Sequence, residues 1–457
     1  MFNELRQPRP LNIEHLLFHA PMTDSARNPQ SRKAAIFAVG SEVVQGFIVN
    51  SNAAWLALQL GELGFEVARH EAMPDDEAEI AARLLPALAQ GLLVVICGGI
   101  GPTLDDRTRQ AVARALGKPL VLDHDDLAQL QERYSAMGRR FPPGSEVQCM
   151  RPEGSRLVRN AFGTASCFLA RHGGGGVCVL PGVPREMRGI WAEEMHSALV
   201  EEFGAPGRFY TRELKCFGLP ESELNLKVQD LLRPRNAQAS ILVDDAVITL
   251  RWRVRAEGES AAAAILDPLV AEARERLGEI VFGEGGDTLE GVTVRLLVER
   301  GLKMACAESC TGGMIAHLLT NVPGSSDTLL ESAVTYSNAA KMRRLGVRRE
   351  TLEGHGAVSE ACVREMAEGI ERESGADLCV AVSGIAGPGG GTPDKPVGTV
   401  WLAATMRGET KAWRLQVPGD RELIKWRTAR AAINVLRLAA LGAQLPTQFS
   451  HWMTRPN

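Results

Sequence analysis

Apolar runs of strand length that end in glycine recur along this chain, and they restrict its fold more than any other feature. They are KAAIFAVG (Lys33 to Gly40), LLVVICGG (Leu92 to Gly99), GVCVLPG (Gly176 to Gly182) and LCVAVSG (Leu378 to Gly384). Helical patterns lie between them. In NSNAAWLALQLGELGFEV, Trp55, Leu56, Leu60 and Leu63 share one stripe, and Asn50 or Ser51 can cap it. PTLDDRTRQAVARALG offers Asp105 or Asp106 as a cap and predicts a helix ending near Gly117. Strands alternating with helices predict an α/β fold, with a parallel sheet covered on both faces. A further strand in GVCVLPGVPREM closes this first domain near residue 200.

At 457 residues the chain is too long for one hydrophobic core, so two to four domains are expected. From about 208 to 285 the character changes. ASILVDDAVITLRWRVRA alternates with period two, which predicts a small α+β module with antiparallel strands. The expected organisation is a flexible tail over 1–31, domains over 32–205, 206–286 and 287–445, and a tail over 446–457. Met22 is an alternative start to Met1.

Fifty-one Lys and Arg against fifty-five Asp and Glu give a net charge of −4, which provides no global attraction for nucleic acid. Nine cysteines include no CxxC pair and sit mostly inside apolar runs, as reduced thiols of a cytosolic protein do. Neither a membrane span nor a signal peptide is evident, so a cytoplasmic protein is expected.

Chemistry concentrates in the last domain. ACAESCTGG (Ala305 to Gly313) places Ser309, Cys310 and Thr311 on a turn between an apolar run and a helix. Ser309 is the preferred nucleophile. His317 and His355 lie in no conspicuous turn and no G-x-S-x-G elbow exists, so a Ser-His-Asp triad is not expected. Lys341 can act as base if burial lowers its pKa, with Tyr336 as a hydroxyl relay. Against this, Ser309 and Thr311 can simply cap the next helix, Cys310 can be a buried structural thiol, and Lys341 can be a solvated surface residue. SGIAGPGGGTPDKP (Ser383 to Pro396) is a glycine-rich loop whose amides can approach a phosphate or carboxylate. It matches neither a P-loop nor G-x-G-x-x-G.

In the first domain, CGGIGPTLDDRT (Cys97 to Thr108) follows a strand end, where open α/β sheets bind ligands. Asp105, Asp106 and Thr108 supply hard oxygen ligands for Mg²⁺ or a similar ion, and Glu42 can complete the cluster. The glycine amides of this loop can hold a pyrophosphate. Helix capping by an aspartate and a plain surface glutamate are the alternatives.

ESCTGG, YSNAAK, GAVS, SGIAGPGGG and KPVGTV, in this order and spacing, resemble the nicotinamide mononucleotide (NMN) deamidase domain of the CinA (competence/damage-inducible protein) family over about 288 to 442. The resemblance implies hydrolysis of NMN to nicotinate mononucleotide and ammonia, without a cofactor. It makes Ser309 the nucleophile, Lys341 the base and Tyr336 the relay. Thr311, Gly312, Gly313, Ser383, Gly384 and Gly387 then bind the mononucleotide, with Arg421 as phosphate partner.

The first domain, with IVNSN and LPGVPREM, resembles the family's molybdopterin-binding-like domain over about 34 to 200. Some members hydrolyse ADP-ribose there with a divalent metal. This implies metal contacts at Asp105, Asp106 and Glu42, and pyrophosphate contacts at Gly98, Gly99, Gly101, Thr103 and Thr108. Ser41 stands where the family often has Asp. The middle segment, with FGLPESEL, resembles the family's KH-like module; it is read as lacking a GXXG loop, and RNA binding is not expected. A homodimer is what the family implies. The alternative function is a pterin- or nucleotide-binding regulatory protein, linked to competence or DNA damage, whose first domain does not turn over substrate.

Overall fold

The computed structural model describes residues 32–204, 207–443 and 445, and it divides into two compact units between Arg208 and Phe209. The tails expected over 1–31 and 446–457 lie outside the described residues. No helix among the described residues is long and apolar enough to cross a membrane.

The first unit is built on a six-stranded sheet in the order Glu66–Met73, Lys33–Val39, Leu93–Cys97, Gly175–Leu180, Cys167–His172, Arg156–Val158. The first four strands are parallel, as the alternation of strands and helices predicts. Every residue of Leu93–Cys97 is buried, the pattern of a strand covered on both faces. The last two strands run antiparallel, which departs from the expected parallel sheet. The reason is local: only Gly173 and Gly174 separate Cys167–His172 from Gly175–Leu180, and so short a link can only make a hairpin.

Asn50 caps the helix Ser51–Glu62 by accepting from the amide of Ala53, and the helix buries Leu56 and Leu60. Neither Asp105 nor Asp106 caps the helix Thr108–Leu116, because Asp106 turns back to accept from the amide of Thr103. Gly117, in the left-handed region, does end that helix. GVCVLPGVPREM is strand only as far as Leu180, since Pro184 opens the helix Pro184–Ile190.

In the second unit, the sheet order Gln238–Asp244, Val247–Ala256, Arg208–Phe217, Val281–Glu284 is packed with the helix Glu259–Leu277, the expected small α+β module. Its hairpin turn, Asp245 and Ala246, has positive φ at both positions. A G-x-x-G run does occur, Gly283-Glu284-Gly285-Gly286, which corrects the reading that none is present. It ends the module's last strand instead of joining two helices.

The remainder forms a five-stranded sheet in the order Leu329–Val334, Met304–Glu308, Leu378–Gly384, Thr399–Met406, Glu409–Gln416. Alternation divides its core. Met304 and Cys306 join one cluster with the helices Leu289–Glu299 and Arg421–Leu441, while Ala305 and Ala307 join another with the helix Glu360–Ser374. The first three strands are parallel, so the turns after Glu308, Val334 and Gly384 leave the same edge of the sheet. The last strand returns through Arg407 and Gly408, both at positive φ.

In the first unit, Arg109 holds the glycine loop against the domain. It is buried, donates to the carbonyls of Met150 (2.7 Å), Ser166 (2.6 Å) and Ile100 (3.5 Å), and lies over the Phe168 ring. Replacing it strands three carbonyls away from water. Arg109→Leu is expected to cost this unit about 3 kcal/mol, read as an earlier urea transition, while the second unit's transition stays in place.

Candidate active site

The turn after Met304–Glu308 is shaped by a carboxylate. Glu308 is fully buried, and its oxygens accept from the amides of Gly313 (2.9 Å), Ile315 (3.2 Å) and Ala316 (3.1 Å). These are amides that the start of the helix Met314–Thr320 leaves without intrahelical partners. A negative charge there is also favoured by the helix dipole. Gly312 and Gly313 have φ of 63° and 94°, a conformation that a side chain at either position would strain. Ser309 and Thr311 do not cap the helix, so that alternative does not hold.

Ser309 is 8% exposed, and its Oγ lies 3.0 Å from Nζ of Lys341. Lys341 is 1% exposed and also donates to the carbonyl of Thr335 (2.8 Å). It sits in the helix Asn338–Leu345, which Ser337 caps by accepting from the amide of Ala340. Burial lowers its pKa from the ordinary 10.5, against weaker opposing effects of Cys362 and Cys310. No carboxylate pairs with it among the described residues, so no counter-ion offsets the desolvation of its charged form. A neutral Nζ can accept the serine proton while an N–H remains on Thr335. Cys310 is a buried thiol whose pKa burial pushes up to about 12, which makes it a poor nucleophile at neutral pH.

The remaining candidates divide. Tyr336 is 61% exposed, and its hydroxyl accepts from Nη2 of Arg421 (3.0 Å). Among the described residues it makes no hydrogen bond to Ser309 or Lys341. Arg421 also donates to the carbonyl of Gly387 (2.6 Å), so it braces the tyrosine against the glycine-rich loop. Ser383 is buried and donates to the carbonyl of Ala357 (2.7 Å), tying the GAVS segment to the end of its strand. Gly384 and Gly387 are packing positions: an added Cβ would lie 2.7 Å from Val400 Cγ2 and 2.6 Å from Val397 Cγ1, respectively. Thr311 is fully buried, and its hydroxyl has no partner among the described residues.

The first unit carries a cavity of about 550 Å³ at the carboxyl ends of its parallel strands. Gly98, Gly99 and Gly101 line it together with Glu42, Asp105 and Asp106, so the structure does bring these candidates to one cleft. Thr103 is occupied with Asp106 (2.9 Å from its amide), and Thr108 is buried with its hydroxyl on the carbonyl of Gly98 (2.8 Å). Thr108 is therefore turned away from any ligand. Two further carboxylates line the cleft, Asp75 and Glu186. Asp75 accepts from both the amide (2.9 Å) and the hydroxyl (3.0 Å) of Ser41, so a carboxylate stands beside the serine after all. Among the described residues, no three acidic, histidine or cysteine side chains come together as a group that could hold a metal ion. The residues thus do not fit a ready-made metal centre.

Relatives align along nearly the whole chain. A putative competence-damage inducible protein of Moorella thermoacetica is 40% identical over 403 residues, which is 88% of this chain and 97% of the relative. The chain belongs to the CinA family. Another putative competence-damage inducible protein, from Symbiobacterium thermophilum, is 41% identical over 421 residues, covering 90% of this chain and 99% of its own. A solved CinA superfamily protein from Klebsiella pneumoniae is 41% identical, covering 34% of this chain and 96% of its own, with a TM-score of 0.33. By segment, residues 35–200 match the probable molybdopterin binding domain, 211–283 the damage-inducible protein CinA KH domain, and 286–440 the CinA C-terminal domain. In this CinA-family chain Glu308 carries no capping-box signal, because it precedes the N-cap Gly313 instead of standing in the first helical turn. Asp75 and Glu186 carried no local signal, because only the fold brings them to the cleft.

Glu308→Ala leaves three helix amides without acceptors. It is expected to cost about 2–3 kcal/mol and to speed hydrogen exchange at Gly313, Ile315 and Ala316, with Glu308→Gln intermediate. Unchanged exchange at those amides in the alanine variant would show that the carboxylate does not hold the turn.

Proposed function

We propose that the C-terminal domain is an amide hydrolase that converts NMN to nicotinate mononucleotide and ammonia. One observation carries the reading: the Ser309 hydroxyl lies 3.0 Å from the amine of an almost fully buried lysine that has no carboxylate partner. NMN is chosen from the family resemblance of ESCTGG, YSNAAK and SGIAGPGGG.

The chemistry follows from these atoms. Nζ of neutral Lys341 takes the proton of Ser309 as Oγ attacks the carboxamide carbon. The oxyanion then needs donors. The amides of Gly313, Ile315 and Ala316 are held by Glu308, and that of Gly312 by the Ser309 carbonyl, so at the helix start only the amide of Met314 is left. Cys310 and Thr311 are the remaining amides of the turn, and each suitable donor is worth about 3 kcal/mol. Collapse breaks the C–N bond, and the proton on Nζ leaves with the nitrogen as ammonia. Water then attacks the acyl ester and gives its proton to Nζ. The second collapse returns that proton to Oγ and frees the nicotinate product. This sequence is complete without a metal.

A second reading, favoured by the glycine-lined cleft, is that the first unit takes a pyrophosphate-bearing ligand such as ADP-ribose. Five carboxylates and no lysine or arginine line that cleft, so a divalent ion would need phosphate oxygens from the ligand as well as protein ligands. In the competing reading this unit binds a pterin or nucleotide without turning it over.

Ammonia release from NMN with EDTA present tests the amidase. Wild type is expected to be active, with Ser309→Ala and Lys341→Ala, both verified as folded, reduced by about a thousandfold or more. A Ser309→Ala enzyme that keeps wild-type activity, or an inert wild type, contradicts the reading. ADP-ribose cleavage that EDTA abolishes would support turnover in the first unit.

A further inference from the structure

The helix Arg421–Leu441 carries a cation next to the nucleophile turn. Residues 421, 425 and 428 share one face of this helix, by their spacing of four and three. Arg421 is committed at its first turn, with one guanidinium nitrogen on the carbonyl of Gly387 and another on the hydroxyl of Tyr336. One turn further on, Lys425 is half-buried and makes no hydrogen bond or ion pair among the described residues. Its Nζ lies 3.9 Å from where a Cβ would stand on Gly312, three residues beyond Ser309.

Nearby carboxylates do not answer this charge. Glu308 is spent on helix amides, and Asp420 caps the helix by accepting from the amide of Leu423 (2.9 Å). Glu422, exposed on the same helix, is not within ion-pair distance. The hydroxyls of Thr311, in the nucleophile turn, and Thr428, on the same helix, are buried without a partner among the described residues, behind the surface that a ligand could touch. A half-buried ammonium without a counter-ion among the described residues, 3.9 Å from where a Cβ would stand on Gly312 of the Ser309 turn, suits a compact anion such as a phosphate monoester.

We infer that Lys425 is the residue that reads the phosphate of the substrate and sets preference for a mononucleotide over the corresponding nucleoside. Arg421, already braced, positions the rim. The inference rests on the amidase reading for its substrate, and on the geometry alone for the anion.

The test compares kcat/KM for NMN and for nicotinamide riboside in wild type, Lys425→Met and Lys425→Arg. Loss of a charge-assisted contact is expected to lower the NMN-to-riboside ratio by about 10- to 100-fold, chiefly through KM for NMN, with Lys425→Arg recovering most of it. Inorganic phosphate should inhibit wild type competitively and Lys425→Met weakly. An unchanged ratio, or phosphate inhibition that survives in Lys425→Met, overturns the inference while leaving the amidase standing. Were wild type inert on both substrates, calorimetric binding of NMN decides separately: weaker binding by Lys425→Met supports the phosphate contact even as the amidase reading fails, and equal binding overturns it.

Discussion

The turn that carries Ser309 depends on a buried carboxylate, Glu308. Glu308 ends a fully buried strand, and the strand's alternation sends its side chain to the same face as Met304 and Cys306. A charge there is tolerable because three helix amides meet it within 3.2 Å. That contact fixes where the helix Met314–Thr320 begins relative to the strand, and so fixes the turn that bears Ser309. It also occupies those three amides, so they are not open to a ligand at the turn.

Lys341 is the opposite case. Its amine is buried with one carbonyl and one hydroxyl as hydrogen-bond partners and no anion among the described residues, so burial shifts it toward its uncharged form. Natural proteins seldom bury lysine without a counter-ion, and a perturbed group of this kind is a candidate for function. The parallel strands make the meeting possible. Ser309 follows one strand and Thr335 the next, and the helix after Thr335 swings Lys341 back over the sheet edge.

Much of this was legible in the sequence where the signal is local. Apolar runs ending in glycine marked the strands, Asn50 was a cap, and Ser309 and Lys341 were paired from residue type and context. What misled was competition between local options. Asp106 could cap a helix or close a turn on Thr103, and the turn won. Two-residue links, Gly173-Gly174 and Arg407-Gly408, make hairpins that the alternation of strands and helices does not announce. Asp75, Glu186 and Lys425 were invisible for a different reason: each acquires its role only when elements distant in sequence are packed together. Tyr336 shows the limit of spacing arguments, since its ring lies on the rim with Arg421 and not between serine and lysine.

The most direct test of the Ser309–Lys341 account is the dependence of kcat/KM for NMN on pH. Only uncharged Lys341 can take the serine proton, so the rate should climb with pH through the lysine's titration and level off above it. Because burial lowers this pKa from 10.5, the account predicts a titration limb centred below that value. A limb centred at 10.5, or a rate that falls as pH rises through this range in folded enzyme, would contradict it.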